Sequence, residues 1–202
     1  MSGASSKQGG GASVQPLRSG RAFALRGFTL IELLVTLAVA AILLGIAMPA
    51  FSSFVQNSRL STEANTLAYD MNLARSEAVK LDATVVVCAS ADHATCNSMS
   101  WTDGWIVLCT AACPPGLGGT PALLLVAPAI TSGNTIDEKL TPGATMVSFL
   151  STGQTGTGNL QFVFCDRRGV TYGHDVEVNS IGEITSASTP GETVAGNPLG
   201  GC

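Results

Sequence analysis

Eighteen consecutive residues, Leu33 to Ala50 (LLVTLAVAAILLGIAMPA), carry no charge. A run that long and that apolar suffices for a membrane-spanning helix. Counted from Phe28 to Phe51 the segment has 24 residues, roughly 36 Å of helix at the usual rise. A single carboxylate, Glu32, sits near its start. A lone acid in such a segment costs at least a few kcal/mol in lipid, so it calls for a partner.

What precedes the run is basic. Residues 1–27 are rich in Gly and Ser and carry Lys7, Arg18, Arg21 and Arg26, with no acid. Positive charge before a membrane segment keeps that end cytoplasmic. A secretory signal would instead be cut after its apolar region, and Ala47-Met48-Pro49-Ala50 offers such a site. That reading leaves Glu32 unexplained, and the run is long for a signal peptide. The whole chain has 10 basic and 14 acidic side chains, net −4. Without the four basic residues of 1–27, six basic face 14 acidic, so the rest is acidic. Nothing in that balance favours nucleic acid.

The helical pattern continues beyond the membrane run. Leu60, Ala64, Leu67, Met71, Ala74, Ala78 and Leu81 alternate steps of four and three, an apolar stripe on one helix face. Arg59, Glu63, Asp70, Glu77 and Lys80 lie off the stripe, and Arg59 and Glu63 are spaced to pair weakly. One helix is therefore expected from Phe28 to about Leu81. Residues 28–51 form a transmembrane half, and 52–82 an amphipathic half that docks on a sheet. Pro49 removes a backbone bond and crowds the preceding turn, so a kink or local melting is expected there. Gly45 adds softness.

After Leu81 the composition changes. Thr84–Cys88, Trp105–Cys109, Leu123–Val126, Thr145–Leu150, Leu160–Cys165 and Val176–Val178 are short apolar, β-prone runs. Asp103-Gly104, Pro114-Pro115-Gly116, Gly118-Gly119, Pro142-Gly143, Gly153, Gly156 and Gly158 punctuate them. Short strands with glycine turns predict a small antiparallel β-sheet head over 83–202. A long helix laid on such a sheet is an α+β arrangement.

All six cysteines, Cys88, Cys96, Cys109, Cys113, Cys165 and Cys202, follow the membrane run. An even number on the exported side reads as disulfides. Six cysteines allow fifteen pairings. One arrangement makes Cys88–Cys96 and Cys109–Cys113 local staples and lets Cys165–Cys202 tie down an apolar-poor tail. A zinc site from the first four has the wrong spacings for two-residue knuckles. No cofactor, metal or catalytic site is expected. His93 and His174 lie in polar or turn-like surroundings and read as solvated. No nucleophile elbow, phosphate loop or His-Glu-x-x-His occurs.

Arg26-Gly27-Phe28-Thr29-Leu30-Ile31-Glu32 resembles the processing site of type IV pilins and pseudopilins: a basic leader ending in Gly, then Phe, then Glu as fifth mature residue. The resemblance implies cleavage between Gly27 and Phe28 by a prepilin peptidase, with 1–27 removed as leader. It also implies N-methylation of Phe28 and a role for Glu32 between subunits. Leu73–Ala78, Asp103-Gly104-Trp105-Ile106-Val107 and Phe164-Cys165-Asp166-Arg167-Arg168-Gly169 are similar to motifs of the H-type pseudopilin and FimT/FimU minor pilin branch. By that resemblance Asp166, Arg168 and Gly169 form a structural turn. The implied function is a minor type IV pilin in pilus initiation or assembly. The alternatives are an H-type pseudopilin of type II secretion, or a pilus-tip module for adhesion or DNA uptake. Implied partners are membrane lipid before assembly, the prepilin peptidase/methyltransferase, an inner-membrane assembly platform, and other major and minor pilins. The implied location is the inner membrane with a periplasmic head, then the cell surface. No Lys or Arg follows Arg168, which argues against direct DNA binding.

Overall fold

The computed structural model describes residues 27–202 apart from Gly118. The leader expected over 1–27 lies outside the described residues except for Gly27. The chain divides into two units, 1–45 and Ile46–Cys202. The helix α1, Leu30–Leu81, contributes to both.

In the first unit, Thr29 starts the helix. Its hydroxyl accepts the Glu32 N–H at 3.2 Å and its carbonyl accepts the Leu33 N–H at 3.2 Å. Thr29 is therefore the N-cap, and Glu32 stands at the third helical position of a Thr-x-x-Glu capping sequence. The cap moves the helix start two residues past the expected Phe28. Every side chain of this unit's helix is exposed. The helix is long and apolar enough to cross a membrane.

In the second unit the helix runs on through Pro49 without interruption. Of the kink or local melting expected at Pro49, melting does not occur, since proline removes one backbone bond and the turns on either side keep theirs. Asp82 ends the helix in the left-handed region at φ 49°. The Asp82 and Ala83 N–H groups bond the Val79 and Ala78 carbonyls at 3.4 and 3.1 Å. That is the Schellman pattern, which satisfies carbonyls that the helix end leaves free.

Among the described residues eight strands follow: β1 Thr84–Ala89, β2 Trp105–Ala111, β3 Ala122–Ala127, β4 Thr135–Glu138, β5 Met146–Phe149, β6 Leu160–Cys165, β7 His174–Val178 and β8 Ile184–Ser186. They form two four-stranded antiparallel sheets, in the orders β3-β2-β1-β5 and β4-β6-β7-β8. Two strands escaped the sequence reading. β4 (TIDE) carries two carboxylates, and β8 (ITS) is only three residues long.

Leu60, Ala64, Leu67, Met71, Ala74 and Ala78 of the helix share one core with Val85, Val87, Val107, Val147 and Phe149 of the first sheet. Leu160, Phe162, Phe164, Val176 and Val178 of the second sheet join the same core. Small residues at 64, 74 and 78 let the helix backbone approach the sheets, while Leu67 and Met71 fill the space between. Trp101 meets Phe162 edge to face, with ring centres 4.9 Å apart.

Candidate functional site

At the N-terminal end, Gly27, Phe28 and Thr29 precede the first helical turn, and Phe28 is exposed. A Cβ at Gly27 would meet nothing within 4 Å. Glu32 projects from the first turn, where the partial positive charge of the helix start favours a carboxylate. Among the described residues no group bonds that carboxylate, although Thr29 holds the backbone beneath it.

The Cys165–Gly169 segment folds as a compact turn. Asp166 accepts the Arg168 backbone N–H at 2.8 Å and the Arg168 Nε–H at 2.8 Å. The Gly169 N–H returns to the Asp166 carbonyl at 3.1 Å. Gly169 has φ 89°, a region that a side chain would make costly. The Arg168 guanidinium lies 4.1 Å from the Tyr172 ring centre and reaches the Ser53 carbonyl of the helix at 3.5 Å. Burial alone would raise the Asp166 carboxyl; the Arg168 hydrogen bonds and the charges of Arg168 and Arg167 outweigh it and hold the pKa below the ordinary value. Arg168 is thus committed within the head.

Three disulfides staple the head: Cys88–Cys96, Cys109–Cys113 and Cys165–Cys202. The third ties the C-terminal residue to the strand that enters the turn. Leu199 adds a small apolar contact there with Val163 and Cys165.

Several polar contacts between helix and head were not foreseen. Asp70 is only 4% exposed and accepts the Trp105 indole N–H at 2.9 Å. In the sequence it lies off the apolar stripe. Burial raises its pKa, and the Trp105 hydrogen bond opposes that rise. Glu63 does not pair with Arg59; it accepts from Ser132 Oγ at 2.8 Å and Asn134 Nδ2 at 2.7 Å. A groove of about 450 Å³ lies there, lined by Arg59, Thr66, Trp105 and Ile130 among others. Arg75 donates through Nε to the Gly153 carbonyl at 3.0 Å and through Nη2 to the Ile181 carbonyl at 3.5 Å. One helix side chain thereby holds the turn after β5 and the turn between β7 and β8. The only sequence signal was the resemblance of Leu73–Ala78 to a family motif, which marked Arg75 without assigning it a role.

The histidines are half-buried rather than solvated, and burial lowers the pKa of His174. Asp175 is fully buried; it accepts from Gln161 Nε2 at 3.1 Å and the Val194 N–H at 3.0 Å. Burial, together with the neighbouring Asp175 carboxylate, raises the pKa of Glu177. Among the described residues no group of three or more His, Cys, Asp or Glu side chains is placed to hold a metal ion.

Residues 63–182 match the family described as type II transport protein GspH. Residues 25–48 match the prokaryotic N-terminal methylation motif. No curated protein matches the sequence. Among solved structures, the fold is similar to the type IV minor pilin FimU of Pseudomonas aeruginosa strain PAO1. The TM-score is 0.50 at 21% identity, over 65% of this chain and 90% of that one. The minor pseudopilin EpsH from the Type 2 Secretion System of Vibrio cholerae gives a TM-score of 0.44 at 13% identity, over 63% and 94% of the two chains.

Proposed function

The chain belongs to the GspH family, and from that premise we propose that it is a minor type IV pilin that takes part in starting or assembling a pilus. The observation that carries this reading is the coexistence in one chain of the methylation motif over 25–48 and the family head over 63–182. The work of such a protein is assembly, not turnover. The apolar helix first holds the subunit in the inner membrane with the head in the periplasm. After a prepilin peptidase cuts between Gly27 and Phe28 and Phe28 is methylated, the helix leaves lipid and packs among those of other pilins on an assembly platform. Glu32 then faces the Phe28 amine of a neighbouring subunit. A buried ion pair adds little net stability, but misregister strands a charge and costs several kcal/mol. Glu32 is therefore a register device. The disulfide-stapled head suits an oxidising compartment.

The family's description favours a second reading, an H-type pseudopilin of a type II secretion system with the same processing and a filament confined to the periplasm.

The deciding experiment is N-terminal mass spectrometry on protein from membranes and from sheared surface filaments. N-methylated Phe28 in the sheared fraction is the expected result. The same end confined to membranes selects the secretion pseudopilin. Any other N-terminus overturns the processing site.

A further inference from the structure

A two-sheet head has four sheet edges, and an open edge is a template for another strand unless something blunts it. In this head three edges are blunted, each differently. β4 carries Asp137 and Glu138, and the Glu138 carboxylate accepts the N–H groups of Leu140, Thr141 and Gln161. β5 is already covered. The Gly156 N–H bonds the Ser148 carbonyl at 2.9 Å, the Leu150 N–H bonds the Gln154 carbonyl at 2.9 Å, and Phe149 bridges Thr155. β8 is three residues long and follows directly on Glu183.

β3, among the described residues, has no charge and no covering segment, and its one irregularity is a single bulged residue, Leu124. The strand is six residues long, pairs among the described residues only with β2, and reads Ala-Leu-Leu-Leu-Val-Ala. Pro121 and Pro128 flank it and set its length without interrupting it. No charged residue or histidine occurs anywhere from Gly104 to Ile136, in a chain whose remainder is acidic.

The face of this strand is also unusual. The β2–β3 register slips between Val107 and Leu108, so Leu125 pairs with Val107 and Leu123 with Leu108. The extra residue is Leu124. Directly paired residues share a face, so the slip places Leu123 and Val126, three apart in sequence, on one side with Leu108 and Ile106. Ile106 and Leu108 belong to a second apolar cluster, with Val86 and Cys88, separate from the main core. Leu123 and Val126 stand at its rim, 49% and 45% exposed. The cluster thus continues outwards to the open edge and stops there half-covered.

We propose that β3 is a strand-addition site that takes an extended, uncharged apolar strand from the head of a neighbouring filament subunit. The partner's chemistry follows from the charge pattern. Main-chain hydrogen bonds supply affinity and alternate side chains supply fit. A charged strand laid here would lose its hydration with no opposite charge to replace it, whereas an uncharged strand extends the cluster of Ile106 and Leu108. The neutral edge is also the side on which two acidic subunits approach with least repulsion. The proposal rests on the filament reading above, and the experiment separates the two.

The full-length chain is expressed in its native cells with a photo-crosslinking p-benzoylphenylalanine at Leu123, at Val126 or, as reference, at exposed Phe54 on the helix. Adducts are identified by peptide mass spectrometry. The expected result is an adduct from 123 and 126 with an uncharged extended segment of another filament subunit's head. Val126→Lys should abolish the adduct from 123 while all three disulfides still form. Adducts from Phe54 but none from 123 or 126 overturn the β3 site and leave the filament reading standing. Adducts from 123 or 126 only with β3 of a second copy, or with a charged segment, overturn the partner assigned here. No adduct with a filament subunit from any position overturns both readings.

Discussion

Trp105 donates its indole N–H to Asp70 at 2.9 Å, joining the middle of the docked helix to the first residue of β2. Both residues are buried. The bond decides how the helix sits on the sheet, because only one rotation of the helix brings the carboxylate to the indole. Asp70→Ala leaves the indole N–H without a partner and should destabilise the head by about 1–3 kcal/mol. Asp70→Asn keeps an acceptor and should cost less. Thermal unfolding of the detergent-solubilised protein, followed by tryptophan fluorescence, measures both. An alanine variant as stable as the parent would remove this role.

Asp70 also predicts a pH dependence. Its folded-state pKa is raised, so between the ordinary carboxylate value and the raised one the folded state binds more protons than the unfolded chain. Stability falls as pH rises through that window. Asp166 has the opposite sign. Its pKa is lowered, so its contribution is present above the ordinary value and is lost as pH falls through the folded one. Asp166→Asn should therefore flatten the acid limb of the unfolding curve, and Asp70→Asn should flatten the decline above it. Interchanged effects of the two variants would contradict the assignment.

Gly182 should not tolerate a side chain. It has φ 80°, and a Cβ there would lie 1.9 Å from the Gly153 carbonyl oxygen, the same oxygen that Arg75 holds. Gly182→Ala should cost about 3 kcal/mol or more, since strain and a lost contact act together. Gly116→Ala, where nothing lies within 4 Å, is the matched control. Equal melting temperatures for the two variants would refute the Arg75–Gly153–Gly182 lock.

The Cys165–Cys202 disulfide closes a separation of 37 residues. Chain entropy assigns such a loop about 3–4 kcal/mol. Cys165→Ser with Cys202→Ser should lower stability by that order and expose the tail to limited proteolysis near Val194, whose N–H rests on Asp175. Protease resistance equal to that of the parent would show that the Asp175 contact alone holds the tail.

Glu32→Ala should leave the protein in the membrane fraction and deplete it from sheared filaments by roughly tenfold or more, the size expected when a buried charge loses its partner. Normal incorporation would refute the register role. Thr29→Val separates that role from helix capping. It removes the hydroxyl that accepts the Glu32 N–H, costs about 1 kcal/mol of helix start, and should leave incorporation nearly intact.

The sequence by itself determined what local periodicity and composition control. The uncharged run from Leu33 to Ala50 and the Leu60–Ala78 stripe specify one helix with two environments. The β-branched and aromatic runs between glycine turns specify antiparallel sheets, because each signal is written within a few residues. The helix start depended on a single hydroxyl, Thr29, and strand β4 on register rather than composition, so both were read imperfectly. Only the tertiary structure decided which polar side chains face inwards. Asp70, Glu63 and Arg75 look alike on a helical projection, yet each meets groups 35 to 106 residues away in sequence. The same holds for the open edge at β3. An apolar strand is legible from its letters, but its lack of a second neighbour depends on how two sheets share one helix, which no local signal encodes.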